Sequence, residues 1–348
     1  MLKNKAPPLG IINISRKEVL FAISLSGHDN HLGKIFSEII GNLSIEEVFG
    51  KIGRPNTYST RSVIKAFLIM VTYRLTSIRS LARFLINHPE IARSCEFKNG
   101  QTPSYRTLCR RFECLDKWIL EWCRIILTFL IDSGILNLEK MIIDGTPCKS
   151  KCKKPRAKGA RTTSSDPEAR FGYTKWGRES FFGYKSMILC SSEPLIVPLS
   201  WQVIPANLQE VNHLIPLVSK ATWLLDKDTP YELLGDSGLD AQYNYDWCKQ
   251  INIRFTCPLN QANKFKGERL KRQEFYKSKL GQKIYERRTD IERLNSHLKE
   301  LSLIDPWPIK RLKHVNTYLN LVMLSYLTCV YYNFTSQRPL REIKSLIA

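Results

Sequence analysis

Four residues in the last quarter of the chain, Tyr285, Arg288, Glu292 and Lys299, bring together a phenol, a guanidinium, a carboxylate and an ammonium. At about 100° per residue they fall within a wedge of roughly 60° on one helix face. The stretch from Tyr285 to Lys299 has good helix formers and neither Pro nor Gly, so the spacing predicts one continuous helix. Ile291, Leu294, Leu298 and Leu301 form a neighbouring apolar stripe. Buried against a core, that stripe leaves the polar row at the edge of a site. Taken alone, the row also fits a solvated amphipathic helix with an i,i+4 pair between Arg288 and Glu292.

Two further carboxylates give the row company. Asp144 follows the apolar run Met141-Ile142-Ile143 and precedes Gly145-Thr146, and Asp236 follows Leu233-Leu234-Gly235 and precedes Ser237-Gly238. Both read as aspartates at strand ends, where α/β sheets place their ligands and chemistry. A turn aspartate often only caps, but two of them with a helical glutamate make a more specific set. Three converging carboxylates repel one another and call for hard cations, Mg²⁺ or Mn²⁺. Two such ions about 4 Å apart suit displacement at a phosphodiester. In that reading Asp144 bridges both ions, while Asp236 and Glu292 each hold one. Arg288 and Lys299 bind neighbouring phosphates, and Tyr285 hydrogen-bonds a phosphate or stacks on a base. No Walker loop or clustered GxGxxG competes, with Gly at only 17 of 348 residues.

The elements that must position these groups read as a mixed α/β unit. Strands are expected at 141–143, 184–192, 196–204, 232–235 and 253–259, and helices at about 208–225, 241–251 and 285–299. Before residue 138 the texture is helical: Thr60 to Leu75, Ile78 to Ile86 behind the N-cap Ser77, a helix behind Thr102-Pro103, and Asp116 to Asp132. The third of these carries Arg106, Arg110 and Arg111, and Arg74, Arg79 and Arg83 lie close in sequence. A short arginine-bearing helix braced by others suits a helix-turn-helix-like DNA contact. Residues 149–161 hold seven Lys or Arg, Lys151, Lys153 and Lys154 among them, and no acid. That segment reads as a solvated phosphate-contacting loop.

Composition narrows the partners. The formal charge of +21, from 53 Lys and Arg against 32 Asp and Glu, implies a polyanion, with nucleic acid ahead of an anionic membrane. The ten cysteines show no disulfide rhythm; Cys95, Cys109, Cys114, Cys123, Cys190 and Cys329 read as small buried hydrophobes in a reducing cytosol. The N-terminal stretch has no continuous apolar run of signal-peptide type. Val315 to Phe334 is uncharged and of membrane length, yet its polar residues favour a buried core helix over a span.

Tyr, two residues, Arg, three residues, Glu, six residues, Lys is also the signature of a known family. With Tyr285, Arg288, Glu292 and Lys299 at every spacing, and with Asp144-Gly145 and Gly235-Asp236-Ser237-Gly238 in place, the chain resembles the DDE transposases of bacterial insertion sequences. Pro205-Ala206-Asn207 is similar to a segment these enzymes often carry, and about residues 52–85 resemble their helical DNA-binding part. The resemblance implies a ribonuclease-H-like mixed sheet flanked by helices over 136–304, with a short basic insertion at about 261–280. An all-helical DNA-binding domain over 1–135 would precede it and a helical extension over 305–348 would follow. Only 55 residues separate Asp236 from Glu292, which leaves no room for the large β-rich insertion of some relatives. The resemblance also implies catalysis by Asp144, Asp236 and Glu292 with two Mg²⁺ ions. The reaction would be cleavage of double-stranded DNA at terminal inverted repeats and joining of 3′-hydroxyl ends to target DNA. The active form would be a homodimer in the cytoplasm, associated with the nucleoid, with no membrane partner. A DNA-binding protein that has lost catalysis, and a nuclease without strand transfer, are the alternatives.

Overall fold

The computed structural model describes residues 57–97, 101–152, 164–173, 180–260, 267–302, 304–343 and 346. Lys153, Lys154 and the segment before residue 57 lie outside them. The first described elements are helices: α1 (Thr60–Thr72), α2 (Ile78–Asn87), α3 (Pro89–Ser94), α4 (Tyr105–Phe112) and α5 (Asp116–Asp132). The starts of α1, α2 and α4 are set by serine side chains that accept from the first free amides. Ser59 takes Ser62 N at 3.0 Å and Ser77 takes Ser80 N at 3.0 Å. The helix expected behind Thr102-Pro103 is instead capped by Ser104, which accepts from Thr107 N.

The sheet follows: β1 (Lys140–Lys149), β2 (Arg170–Tyr173), β3 (Ser180–Ser191), β4 (Pro198–Pro205), β5 (Tyr231–Leu234) and β6 (Ile253–Thr256). β3 pairs antiparallel with β1 and with β4, β5 joins β1 in parallel, and β6 joins β5 in parallel. The order β4-β3-β1-β5-β6 is the ribonuclease-H-like arrangement, a three-stranded meander extended by two parallel crossovers. β2 was not anticipated from sequence. Gly183 faces Lys149 of β1 on one edge, so its pairing with Arg170 places β2 on the other, in line with β4.

Later helices are α6 (Leu214–Ser219), α7 (Gln242–Gln250), α8 (Glu268–Lys277), α9 (Lys279–Tyr285), α10 (Asp290–Leu301) and α11 (Leu312–Thr335). The helix expected over 208–225 is short, flanked by 3-10 turns at Glu210–His213 and Thr222–Leu224. Pro216 offers no amide and is tolerated only in a first turn, which fits a start at Leu214. The basic segment near 261–280 holds α8 and the start of α9, joined at Ser278, whose hydroxyl caps α9 by accepting from Gly281 N at 3.1 Å. Gly281 is needed there, since a Cβ would sit 2.0 Å from the Phe275 carbonyl oxygen.

α11 is the uncharged stretch of the sequence, and it is a core helix. It packs on α1 and α5 on one side and on β4 and α10 on the other. Three of its polar residues make layer-to-layer bonds. Asn320 accepts from Trp201 Nε1 at 2.7 Å and donates to Asp116 at 2.9 Å, Asn316 accepts from Val203 N, and Tyr326 donates to the Ile196 carbonyl. Among the described residues no helix is long and apolar enough to cross a membrane. All ten cysteines are free; Cys95, Cys123, Cys190 and Cys329 are buried, but Cys114 is exposed and Cys109 half-buried. Those two lie on or just past α4, too short a helix to bury more than the stripe of Leu108 and Phe112.

Candidate active site

β1 and β5 run in parallel as far as the pair Ile142 and Leu234. Two residues beyond that pair stand Asp144, still on β1, and Asp236, just past the end of β5, and both line one groove. Asp144 is not at a strand end, as expected. β1 continues to Lys149 because β3 still pairs with it, and Asp144 faces Ile188. What ends at this level is β5, where Gly235-Asp236 turns away. Asp236 caps the 3-10 turn Ser237–Leu239 by accepting from Gly238 N at 2.9 Å.

The third carboxylate comes from α10, which buries Ile291, Leu294, Leu298 and Leu301 as the apolar stripe predicts. The row does not lie on one continuous helix. α9 ends at Tyr285, Glu286–Thr289 is a 3-10 turn, and α10 starts at Asp290. The tighter turn rotates Tyr285 relative to the rest but keeps Arg288 and Glu292 one turn apart. The Arg288 guanidinium bridges the two elements, with Nη1 3.2 Å from Glu292 Oε1 and Nη2 3.4 Å from Asp144 Oδ1. Its Nε is buried and has no hydrogen-bond partner among the described residues.

Asp144, Asp236, Glu292, Tyr285 and Arg288 all line one open groove of about 1260 Å³. Tyr285 packs edge-on against Tyr276 at 5.1 Å, and burial raises its phenol, which keeps it a hydrogen-bond donor. Lys299 is exposed, about two turns along α10 from Glu292, with its charge felt at Cys148 of β1 rather than in the groove. Lys151 donates to the Thr76 carbonyl at 2.8 Å, tying the strand end to the helical part. On α4, Arg106 and Arg110 are exposed, while Arg111 donates to Thr60 Oγ1 at 2.6 Å and so braces α1. Arg79 lies over the Tyr105 ring at 4.9 Å.

The family description "Transposase DDE domain" matches residues 138–328, more than half of the chain. The chain belongs to the DDE transposase family. Such transposases cleave DNA and transfer its strands. Solved structures to which the chain is similar include a piggyBac transposase synaptic complex with hairpin DNA. It shows 10% identity over 94% of this chain and 78% of that one, with a TM-score of 0.44. A Mos1 strand transfer complex shows 12% identity over 75% and 82%, with a TM-score of 0.22. No curated protein gives a match.

DDE transposases use divalent metal ions, and the donors present suit them. The groove offers oxygen donors only, hard ligands of the right kind. The Asp144 carboxyl is raised to about 6, by burial above all, with Arg288 opposing the rise and Asp236 and then Glu210 adding to it. That is an excess of negative charge which one guanidinium does not neutralise. Among the described residues no three such side chains already meet as a cage, since Arg288 stands between Asp144 and Glu292. Opposite effects act on Arg288 itself: burial lowers its pKa, but Asp144, Tyr285, Asp236 and Glu292 outweigh that and raise it.

The sign of the Asp144 shift gives a prediction. Its folded carboxyl titrates at about 6 against an ordinary 3.8. The stability due to the protonated form is therefore fully present below 3.8 and is lost as pH rises through about 6. Asp144→Asn cannot ionise, so in metal-free protein it is expected to exceed wild type by about 2–3 kcal/mol near neutral pH. The gap closes in acid. Urea denaturation with EDTA at a series of pH values measures it, and a gap that ignores pH contradicts the burial argument.

Sequence reasoning missed three groups around this site. Asp290 is buried and accepts from Ser192 Oγ at 2.7 Å and Glu193 N at 3.2 Å, anchoring the start of α10 to the β3–β4 turn. Glu210 and Lys185 line the groove and pair at 2.9 Å. Tyr173, at the end of β2, lines it with 76% of its surface exposed. Of these only Asp290 left a sequence signal, as an acidic residue in a helix first turn, and that signal reads as capping.

Proposed function

We propose that this DDE transposase binds the terminal inverted repeats of its own element, cleaves DNA at the element ends and joins the 3′-hydroxyl ends to target DNA. The observation that carries the proposal is the meeting of Asp144 on β1 and Asp236 just past β5 with helix-borne Glu292 around one groove, with Arg288 spanning two of them. Asp144, Asp236 and Glu292 would hold two Mg²⁺ ions, for which Mn²⁺ can substitute. Ions bound there supply Lewis-acid stabilisation of the attacking and leaving oxygens.

The chain's own groups do the rest. Arg288 binds a non-bridging phosphate oxygen and offsets charge developing on it. Tyr285, held protonated by burial, donates to the same strand. Lys299, further along α10, meets the backbone outside the groove. Exposed Arg106 and Arg110 on α4, with Lys151, Lys153 and Lys154 after β1, contact flanking or end DNA. Arg111 serves the same surface by fixing α4 on α1. A helical domain over 1–135, a catalytic domain over 136–304 and an extension over 305–348 divide the labour. The active complex is a homodimer that pairs two ends, and the protein works at the nucleoid.

The test uses DNA spanning the gene and its genomic flanks, incubated with purified protein and Mg²⁺, with every new end sequenced. Discrete breaks at inverted repeats, followed by joined products with 3′-hydroxyl linkage, are expected. Breaks without joining indicate a nuclease, and binding without breaks indicates a protein that has lost catalysis.

A further inference from the structure

The groove contains a further ion pair that the three acidic residues and the helix row do not account for. Among the described residues, the cations lining it are Arg288 and Lys185. Arg288 is committed to Asp144 and Glu292. Lys185 sits on β3 opposite Pro147, three residues along β1 from Asp144, or roughly 10 Å at strand spacing. It is mostly buried, at 17% exposure, between β1 and the line of β4 and β2. Its ammonium is paired with Glu210 at 2.9 Å and donates to the Leu208 carbonyl at 3.3 Å.

Glu210 is placed differently. It opens the 3-10 turn Glu210–His213 in the connection after β4, not a strand. Its carboxylate lies over Gly145, where a Cβ would come within 2.8 Å of Glu210 Cδ and Oε2. The carboxylate thus lies beside Lys185 on the sheet face opposite the Asp144 side chain, since neighbouring strand residues point to opposite faces, yet near enough for its charge to raise the Asp144 carboxyl in a groove already rich in negative charge. A strand-mounted cation is here paired with an oxygen anion carried by a 3-10 turn in a connection rather than by the sheet. That is the arrangement of a phosphate-binding lysine whose site is filled, before DNA arrives, by a carboxylate of similar charge and reach.

We infer that Lys185 binds a backbone phosphate of the substrate strand, one or two nucleotides from the reacting bond, and that Glu210 is its exchangeable placeholder. The inference rests on the proposed reading of the groove as the DNA site. On DNA binding, the Lys185–Glu210 pair opens, Lys185 takes the phosphate, and Glu210 swings off Gly145. No bond is made or broken; one counterion replaces another.

The experiment measures binding of a duplex drawn from the DNA flanking the gene, in EDTA, over a series of salt concentrations. The proteins are wild type, Lys185→Ala, Lys185→Arg, Glu210→Gln and the neutral pair Lys185→Gln with Glu210→Gln. The slope of log affinity against log salt is expected to shrink by about 0.9 in Lys185→Ala, one phosphate contact fewer, and to be kept in Lys185→Arg. Glu210→Gln is expected to bind about fivefold more tightly at low salt, because DNA no longer has to displace a carboxylate from Lys185. That gain is absent from the neutral pair, which also stands in if Lys185→Ala does not fold. A purely structural pair predicts lower urea midpoints with an unchanged slope, and that result overturns the inference alone. Absence of DNA binding by wild type overturns it together with the proposed function. Binding with the expected slopes but no cleavage leaves Lys185 in its role and removes the catalytic reading.

Discussion

Glu292→Gln is expected to lower cleavage of element-end DNA by roughly 10⁴-fold, the scale seen when one member of a catalytic unit is removed. Binding of the same DNA and the stability of the fold should stay at wild-type values. The structure separates these effects. Glu292 is 62% exposed, and its one partner among the described residues is Arg288 at 3.2 Å, an i,i+4 pair. Exposed pairs of this kind contribute only about 0.3–0.5 kcal/mol. The amide keeps the size of the side chain and removes the charge that a metal needs. Cleavage assays, duplex binding and urea unfolding read the three quantities. Retained cleavage would remove Glu292 from the catalytic set, and lost binding would reassign it to DNA recognition.

Asp290→Ala is expected to do the reverse, costing about 2–4 kcal/mol of stability, the scale for leaving two enclosed neutral donors without their acceptor. The Asp290 carboxylate is 2% exposed. Its loss leaves the Ser192 hydroxyl and the Glu193 amide without their acceptor inside the protein. Around it, Arg287, Arg293 and Arg341 all reach Glu193 at the surface, but such exposed pairs are weak substitutes. Because Asp290 pins the first turn of α10 to the β3–β4 turn, its loss also frees Glu292 to drift. A drift of about 1 Å at a reacting centre costs on the order of 10²-fold in rate. Urea unfolding and cleavage by Asp290→Ala and Asp290→Asn test this, with the amide falling between alanine and wild type. An unchanged urea midpoint in Asp290→Ala would refute the anchor.

The side chains around the groove were legible in sequence wherever identity and spacing alone carried the signal. Arg288 and Glu292 meet because one turn separates them in either helix type, so the 3-10 turn at 286–289 did no harm to that pair. The same turn was invisible in the pattern, since 3-10 and α segments use the same residues. Asp144 was readable as an acid after an apolar run, but not as a mid-strand residue. Whether β1 stops or continues is decided by β3 across the sheet, a non-local partner. β2 is four residues long and contains Gly172, too little for a period-two pattern. α8 carries no buried residue, so its sequence shows a charge run and no stripe. Glu210 and Lys185, 25 residues apart, look like any loop glutamate and strand lysine until the fold sets them together.

The position of α11 in the chain bears on when the enzyme can form. Its apolar surface is the shared wall between α1 and α5 on one side and β4 and α10 on the other, yet it is made after all of them. Until residues 312–335 emerge from the ribosome, two apolar faces of the nascent chain have nothing to rest on. Such a chain is prone to aggregate and to be held by chaperones. Competence to cut DNA therefore arrives late and all at once, when the last long helix slots between layers made before it. A chain truncated before that helix would carry all three acidic residues without the wall on which α10 rests.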